Sequence, residues 1–222
     1  MRALAILGSP RRYGNTAILT EAVLDELESL GYKKNLIYLQ EKNIKYCLGC
    51  GTCLMKGYCI HKDDMQEIIE EIKRCRVLIL ASPVYYLNVT AQMKTFIDRM
   101  LAFGHRPSLG GYGASITVYA GVGNAENVAR YLNRILKSWG IVPVGYLTAY
   151  AVLPGEVCEE NIKAAKELGK KIAKAVDDKM ASEITEEDLK LRDQLINLIK
   201  KYRGIMKADY EFWKEKIPKD ST

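Results

Sequence analysis

Five short apolar runs alternate along this chain with longer stretches of helical period, and that alternation admits few folds. The runs are Arg2–Gly8, Asn35–Leu39, Arg76–Ala81, Ala114–Ala120 and Ile141–Tyr150. Short continuous apolar segments of this kind suit strands buried on both faces of a parallel sheet. Between the first two, Asn15–Leu30 carries Ala17, Leu19, Ala22, Val23, Leu27 and Leu30 on one helical face and stops at Gly31. Asp63 and Gln66 are spaced as a helix cap, opening a helix to about Arg74. Thr90–Phe103, Asn127–Trp139 (stopped by Gly140) and Glu159–Val176 complete the helices. Strand–helix alternation implies right-handed crossovers and a doubly wound α/β sheet, in the order 2-1-3-4-5.

The chain has 222 residues, room for one such unit and an appendage. The α/β unit is expected to span residues 1–176, and residues 177–222 a helical extension. In the extension, Thr185 and Asp188 form a capping box, and Leu195, Ile199, Tyr202, Met206, Tyr210 and Trp213 recur as an apolar stripe. Such a stripe either packs on its own domain or meets a second subunit. The net charge of +6 is spread along helices whose acids and bases alternate, and no basic, aromatic-interleaved face suggests nucleic acid. No apolar run approaches the ~20 residues needed to cross a membrane. The N-terminus reads as a first strand rather than a signal peptide. With six cysteines and no export signal, a reducing cytoplasm is the expected setting.

Four of those cysteines, Cys47, Cys50, Cys53 and Cys59, lie in CLGCGTCLMKGYC with the spacing C-x2-C-x2-C-x5-C, within a loop over residues 45–60. A C-x2-C-x2-C turn brings three thiolates onto one iron-sulfur cube, and a fourth slightly further on completes it. A structural zinc site more often uses two separated C-x2-C knuckles. Zinc and metal-free thiols or disulfides remain the alternatives.

The first strand leads through GSPRRYGNT into a helix. Ser9, Arg11, Asn15 and Thr16 offer groups that bind phosphate, Gly14 permits close backbone approach, and the loop ends at a helix N-terminus, where free N–H groups attract an anion. The pattern is neither G-x-G-x-x-G nor G-x4-G-K-[ST], which disfavours dinucleotides and triphosphates. A five-stranded sheet in this order is flavodoxin-like, and FMN is the usual ligand at the carboxyl ends of its strands. The third strand ends in Ser82, Pro83, Val84, Tyr85 and Tyr86, where two tyrosines can flank a flat ring. The fourth ends in AGVGN, where Gly121 and Gly123 let backbone pass beneath it.

GSPR-x2-GNT, SPVYY followed by K-x-F-x-D-R (Lys94–Arg99), and the cysteine motif between them resemble the iron-sulfur flavoproteins of archaea and anaerobes, within the wider NADPH-dependent FMN reductase family. The resemblance covers about residues 1–176 and not the tail. It implies that FMN binds through Ser9, Arg11, Asn15 and Thr16, that backbone around Pro83–Tyr86 contacts the ring, and that the four cysteines hold a 4Fe-4S cluster. It further implies a homodimer or homotetramer in which the cluster of one subunit approaches the FMN of its neighbour. The expected function is electron transfer between a donor, such as ferredoxin or NAD(P)H, and an acceptor. Two rivals stand beside it: an NAD(P)H-dependent FMN or quinone reductase whose cysteines hold no cluster, and a zinc-stabilised assembly module.

The remaining candidates read as structural. Cys75 is a small core residue and Cys158 opens a helix. His61 is a loop residue near the cysteines, and His105 lies in a Gly/Pro-rich segment placed to cover the flavin edge. No hydrolytic triad, H-E-x-x-H or paired-carboxylate spacing is present.

Overall fold

The computed structural model describes residues 1–121 and 124–216. Its centre is a five-stranded, wholly parallel sheet in the order β2-β1-β3-β4-β5, as the sequence predicts. The strands are β1 (Arg2–Leu7), β2 (Lys33–Tyr38), β3 (Val77–Pro83), β4 (Tyr112–Tyr119) and β5 (Val142–Tyr150). The helices are α1 (Asn15–Ser29), α2 (Thr52–Lys56), α3 (Met65–Arg74), α4 (Ala91–Arg99), α5 (Leu101–His105), α6 (Ala125–Ser138), α7 (Glu159–Asp177), α8 (Glu186–Lys201) and α9 (Lys207–Trp213).

Side-chain alternation along the strands divides the core in two. Ala3, Ala5 and Leu7 of β1 and Val77, Ile79 and Ala81 of β3 face α1 and α7. Leu4, Ile6, Leu78 and Leu80 face α3, α4 and α6, where Phe96 meets Trp139 edge-to-face at 5.9 Å between centroids. Strands β1, β3 and β4 are therefore buried along nearly their whole length, because both of their faces are covered.

Three local departures from the sequence reading have physical causes. Strand β2 begins at Lys33, because backbone pairing with β1 holds even the exposed, charged edge residues in the ladder. The helix expected over Thr90–Phe103 breaks at Met100, which is fully buried and closes on Ile97 with a tight i−3 bond. The tail stripe is split between α8 and α9 by the turn at Tyr202–Met206, whose amides close on Leu198 and Tyr202.

The stripe packs on its own chain. Ile199, Met206 and Trp213 are buried against Leu54 of α2, with Leu195 and Tyr210 partly covered. Helix α9 thus lies on the short helix inside the cysteine loop. The opposite side of the tail leaves Leu198, Tyr202 and Ile205 exposed. Among the described residues, no helix is long and apolar enough to cross a membrane.

Candidate functional site

The carboxyl ends of β1, β3 and β4 bring three loops to one rim. The Ala81 carbonyl receives the Gly8 amide at 2.8 Å, and Thr90 Oγ1 donates to the Gly8 carbonyl at 2.6 Å. Gly8 lies so close to α4 that an added Cβ would sit 2.8 Å from Met93 Cβ. Ser9 is buried, and its hydroxyl accepts the Arg11 amide at 3.1 Å, which curls the loop back on itself. Helix α1 then starts at Gly14 with no side chain capping its free amides. Those amides and buried Thr16 face the rim, while the exposed Arg11 side chain makes no ion pair among the described residues.

Two neighbours of this loop take roles that the sequence hides. Asn15 donates to the Leu153 carbonyl and accepts from the Gly155 amide, each at 2.8 Å, so its amide ties the loop to the one after β5. Arg12 bonds Glu41, stacks 4.7 Å from the centre of the Tyr38 ring, and is thereby turned from the rim.

At the end of β3, Ser82 is fully buried and accepts the Thr90 amide at 3.1 Å, and just beyond the strand the Val84 amide donates to the Val118 carbonyl at 2.8 Å. Tyr85 and Asn88 then exchange backbone hydrogen bonds across a two-residue turn. Both turn residues, Tyr86 (φ 43°) and Leu87 (φ 68°), are left-handed without being glycine. The Leu87 carbonyl is held by Asn124 Nδ2 at 3.1 Å, and Tyr86 stands fully exposed. Gly121, after β4, is also left-handed at φ 92°, and Gly123 lies outside the described residues.

The cysteine segment leaves the same rim after β2. Its ends are stitched together, as in a compact surface loop. Asp64 accepts the Asn43 amide, Asp63 accepts the Lys45 amide at 2.9 Å, and His61 Nε2 pairs with the Tyr46 carbonyl at 3.1 Å. The N-cap of α3 is Asp64, whose side chain makes no capping bond, while Asp63 and Gln66 bond just before it, the Met65 amide donating to Asp63 and the Asp63 amide to Gln66. Asp63 has a second partner that the sequence does not announce. Its carboxylate takes both Arg99 terminal nitrogens, at 2.6 and 3.1 Å, and the pair is almost wholly buried. Burial alone would raise the Asp63 pKa, but the Arg99 and backbone hydrogen bonds hold it below the usual carboxylate range.

Within the loop, left-handed glycines at 49, 51 and 57 make the turns between cysteines. Cys47, Cys53 and Cys59 line one cavity of about 610 Å³ together with Arg99, Arg106 and Phe103. Arg106 donates to the Cys53 carbonyl at 3.1 Å and to the buried Asp209 of α9. Burial raises the Cys53 thiol, and the neighbouring Cys59 raises it further. Cys50 stands exposed on the outer turn, its sulfur 3.4 Å from Thr52 Oγ1, a contact that lowers its pKa. Three thiols thus surround one cavity, with the fourth on its outer turn. Among the described residues no three such side chains are drawn to metal-bonding geometry. The donor set fits a thiolate-bound group. The sulfurs are soft and clustered, none is in a disulfide, and two guanidinium groups supply the positive charge that thiolates need.

The other candidates sit apart. Cys75 bonds the Ile72 carbonyl, and burial pushes its thiol up to about 12. Cys158 caps α7. His105 does not reach the rim. Its Nδ1 pairs with Asp209 at 2.8 Å and its carbonyl accepts from Trp213 Nε1 at 2.8 Å, placing it against the tail instead. The Asp63–Arg99 and Arg106–Asp209 pairs were missed because each joins residues distant in sequence. The only sequence signal was an arginine closing a helix that is otherwise buried along one face.

Comparison with known proteins bears on both sites. Residues 1–152 match the family model described as NADPH-dependent FMN reductase. An iron-sulfur flavoprotein of Archaeoglobus fulgidus is 58% identical over 97% of this chain and 99% of its own length. Another, from Methanocaldococcus jannaschii, is 31% identical over 79% of this chain and 97% of its own. A solved flavodoxin from the domain Archaea superposes with a TM-score of 0.57 at 18% identity, covering 80% of this chain and 99% of that one, and so supports the fold. On the strength of its whole-length relatives and of the matched model, this flavodoxin-like oxidoreductase belongs to the NADPH-dependent FMN reductase family, among the iron-sulfur flavoproteins.

Proposed function

We propose that this protein carries FMN at the rim and a 4Fe-4S cluster in the cysteine cavity, and passes electrons between a reduced donor and an acceptor. FMN use follows from the family; the cluster and its ligands Cys47, Cys50, Cys53 and Cys59 are the finer part of the proposal. The observation that carries it is the convergence of Cys47, Cys53 and Cys59 on one cavity beside the buried Arg99 and the partly buried Arg106, in a loop that starts at the flavin rim. When bound, the flavin exchanges electron pairs for single electrons and the cluster relays single electrons.

The chain's own groups supply binding and electrostatics rather than acid–base chemistry. The uncapped N-terminus of α1 is the phosphate site of this proposal, with Thr16 in its first turn and Arg11 in the loop before it as the groups that would bind. Ser9 acts through the loop backbone, which its hydroxyl curls, and Asn15 by holding the loop after β5 against it. The strained turn at Tyr86 presents backbone and ring to the flavin edge. Pro83, the last residue of β3, and Val84 lead into that turn, and Gly121 after β4 forms the third wall. The donor is a ferredoxin or NAD(P)H, and the working unit a homodimer or homotetramer.

Anaerobic purification with iron, acid-labile sulfide and FMN quantified per chain tests the proposal. The expected result is one FMN and four irons per chain by the stoichiometry of the proposed cofactors. Full FMN with no iron, together with unimpaired NADPH oxidation by a Cys50→Ala variant, would leave a plain flavin reductase. Zinc without flavin would leave the assembly module.

A further inference from the structure

Arg99 has one donor that its ion pair does not use. The guanidinium lies at the cavity wall with its side chain 1% exposed. One terminal nitrogen serves the Lys45 carbonyl and Asp63, the other Asp63 alone. The Nε–H is buried and without a hydrogen-bond partner. A buried unpaired donor is costly, and one on a charged group more so, so such groups call for an explanation. The Cys59 side chain lines the same cavity as Arg99, and a thiolate sulfur there can accept from that donor.

We propose that Arg99 is a positioning residue of the cysteine site, its Nε–H donating to the Cys59 thiolate when that sulfur is bound to iron. Asp63 fixes the fork from behind, and the Lys45 carbonyl fixes it to the root of the same loop. The donor is therefore pre-placed at the far end of the cysteine motif. Ligands to a metal are oriented by such outer partners, and hydrogen bonds to cluster sulfurs and nearby charge set reduction potentials. A cation and a donor beside Cys59 favour the reduced cluster, which carries one more negative charge. The inference rests on the cluster proposed above.

The test uses the anaerobic full-length protein with its own cofactors. Arg99→Lys keeps the charge and removes the planar fork. The pair Asp63→Asn with Arg99→Gln removes both charges together, so that no lone buried ion is left to unfold the chain. FMN content and far-ultraviolet circular dichroism report the fold in each. Both are expected to move the cluster midpoint to more negative potential and to weaken iron retention against a chelator by about tenfold. Arg74→Lys, on the outer face of α3, is the control and is expected to do neither. A wild-type cluster whose midpoint and iron retention are unmoved in both folded variants overturns the inference alone. Wild-type protein with full FMN and neither iron nor sulfide overturns the cluster and the inference with it.

Discussion

Tyr86 and Leu87 carry left-handed backbone that a two-residue hairpin turn prefers to assign to Asn-Gly. Each such residue costs about 1–3 kcal/mol, and the exposed Tyr86 side chain recovers little by packing. Strain kept at a ligand rim argues that the turn is shaped for the ligand. Tyr86→Asn with Leu87→Gly should stabilise the flavin-free protein by about 1 kcal/mol or more in urea unfolding, and weaken FMN in a fluorescence titration. A variant that gains stability without losing affinity would remove the turn from the flavin site. Arg11 and Asn15 separate in the same titration. Arg11→Ala should weaken FMN about tenfold, the value of one hydrogen bond to a charged group, and the loss should shrink with added salt. Asn15→Ala should weaken it with little salt dependence, because Asn15 braces Leu153 and Gly155 rather than supplying charge. The loop joining β1 to α1 was legible in GSPRRYGNT. The brace was not, because its partner lies 138 residues away.

At the scale of elements, burial on both faces made the strands legible, and it fixed their order once each was joined to the next by a helix. The boundaries that moved are those set by contacts rather than by local preference, at β2 on the sheet edge and at Met100 between α4 and α5. The cap of α8 is the opposite case, since Thr185 and Asp188 bond one another's amides as their spacing predicts. What the spacing did not reveal is that Asp188 also binds Lys137 of α6. The Lys137 and Thr185 hydrogen bonds hold the Asp188 carboxyl down to about 2. A carboxylate with a lowered folded pKa contributes its stability in full above its unfolded value of about 3.9, and loses it as pH falls through about 2. Amide protection factors in α8, corrected for intrinsic exchange, should therefore fall between about pH 4 and 2. In Asp188→Asn they should be lower already at neutral pH and flat across that window. An unchanged acid profile in the variant would assign the dependence to other groups.

At the scale of the whole molecule, the tail and the cysteine loop form one unit. Each needs the other, because α2 is a five-residue helix with no fully buried residue of its own, and α9 buries Trp213 by lying against it. The hub is Asp209, fully buried, which takes Arg106 and His105 while Arg106 goes on to the Cys53 carbonyl. The aromatic stripe was legible as a packing face, but its target was not, since nothing local links residue 209 to residues 53, 105 and 106. Removing one member of a buried ion pair strands the other, which costs about 3–5 kcal/mol, whereas replacing both with apolar groups is often neutral. Asp209→Ala should accordingly lower stability by about 3 kcal/mol in urea unfolding followed by tryptophan fluorescence, and should raise the alkylation rate of Cys53. Asp209→Leu with Arg106→Met should recover most of the stability. It should not restore the slow alkylation, because the bond to the Cys53 carbonyl is still absent. Wild-type alkylation in the double variant would mean that packing against α9 alone shapes the loop, and that Arg106 is dispensable to it.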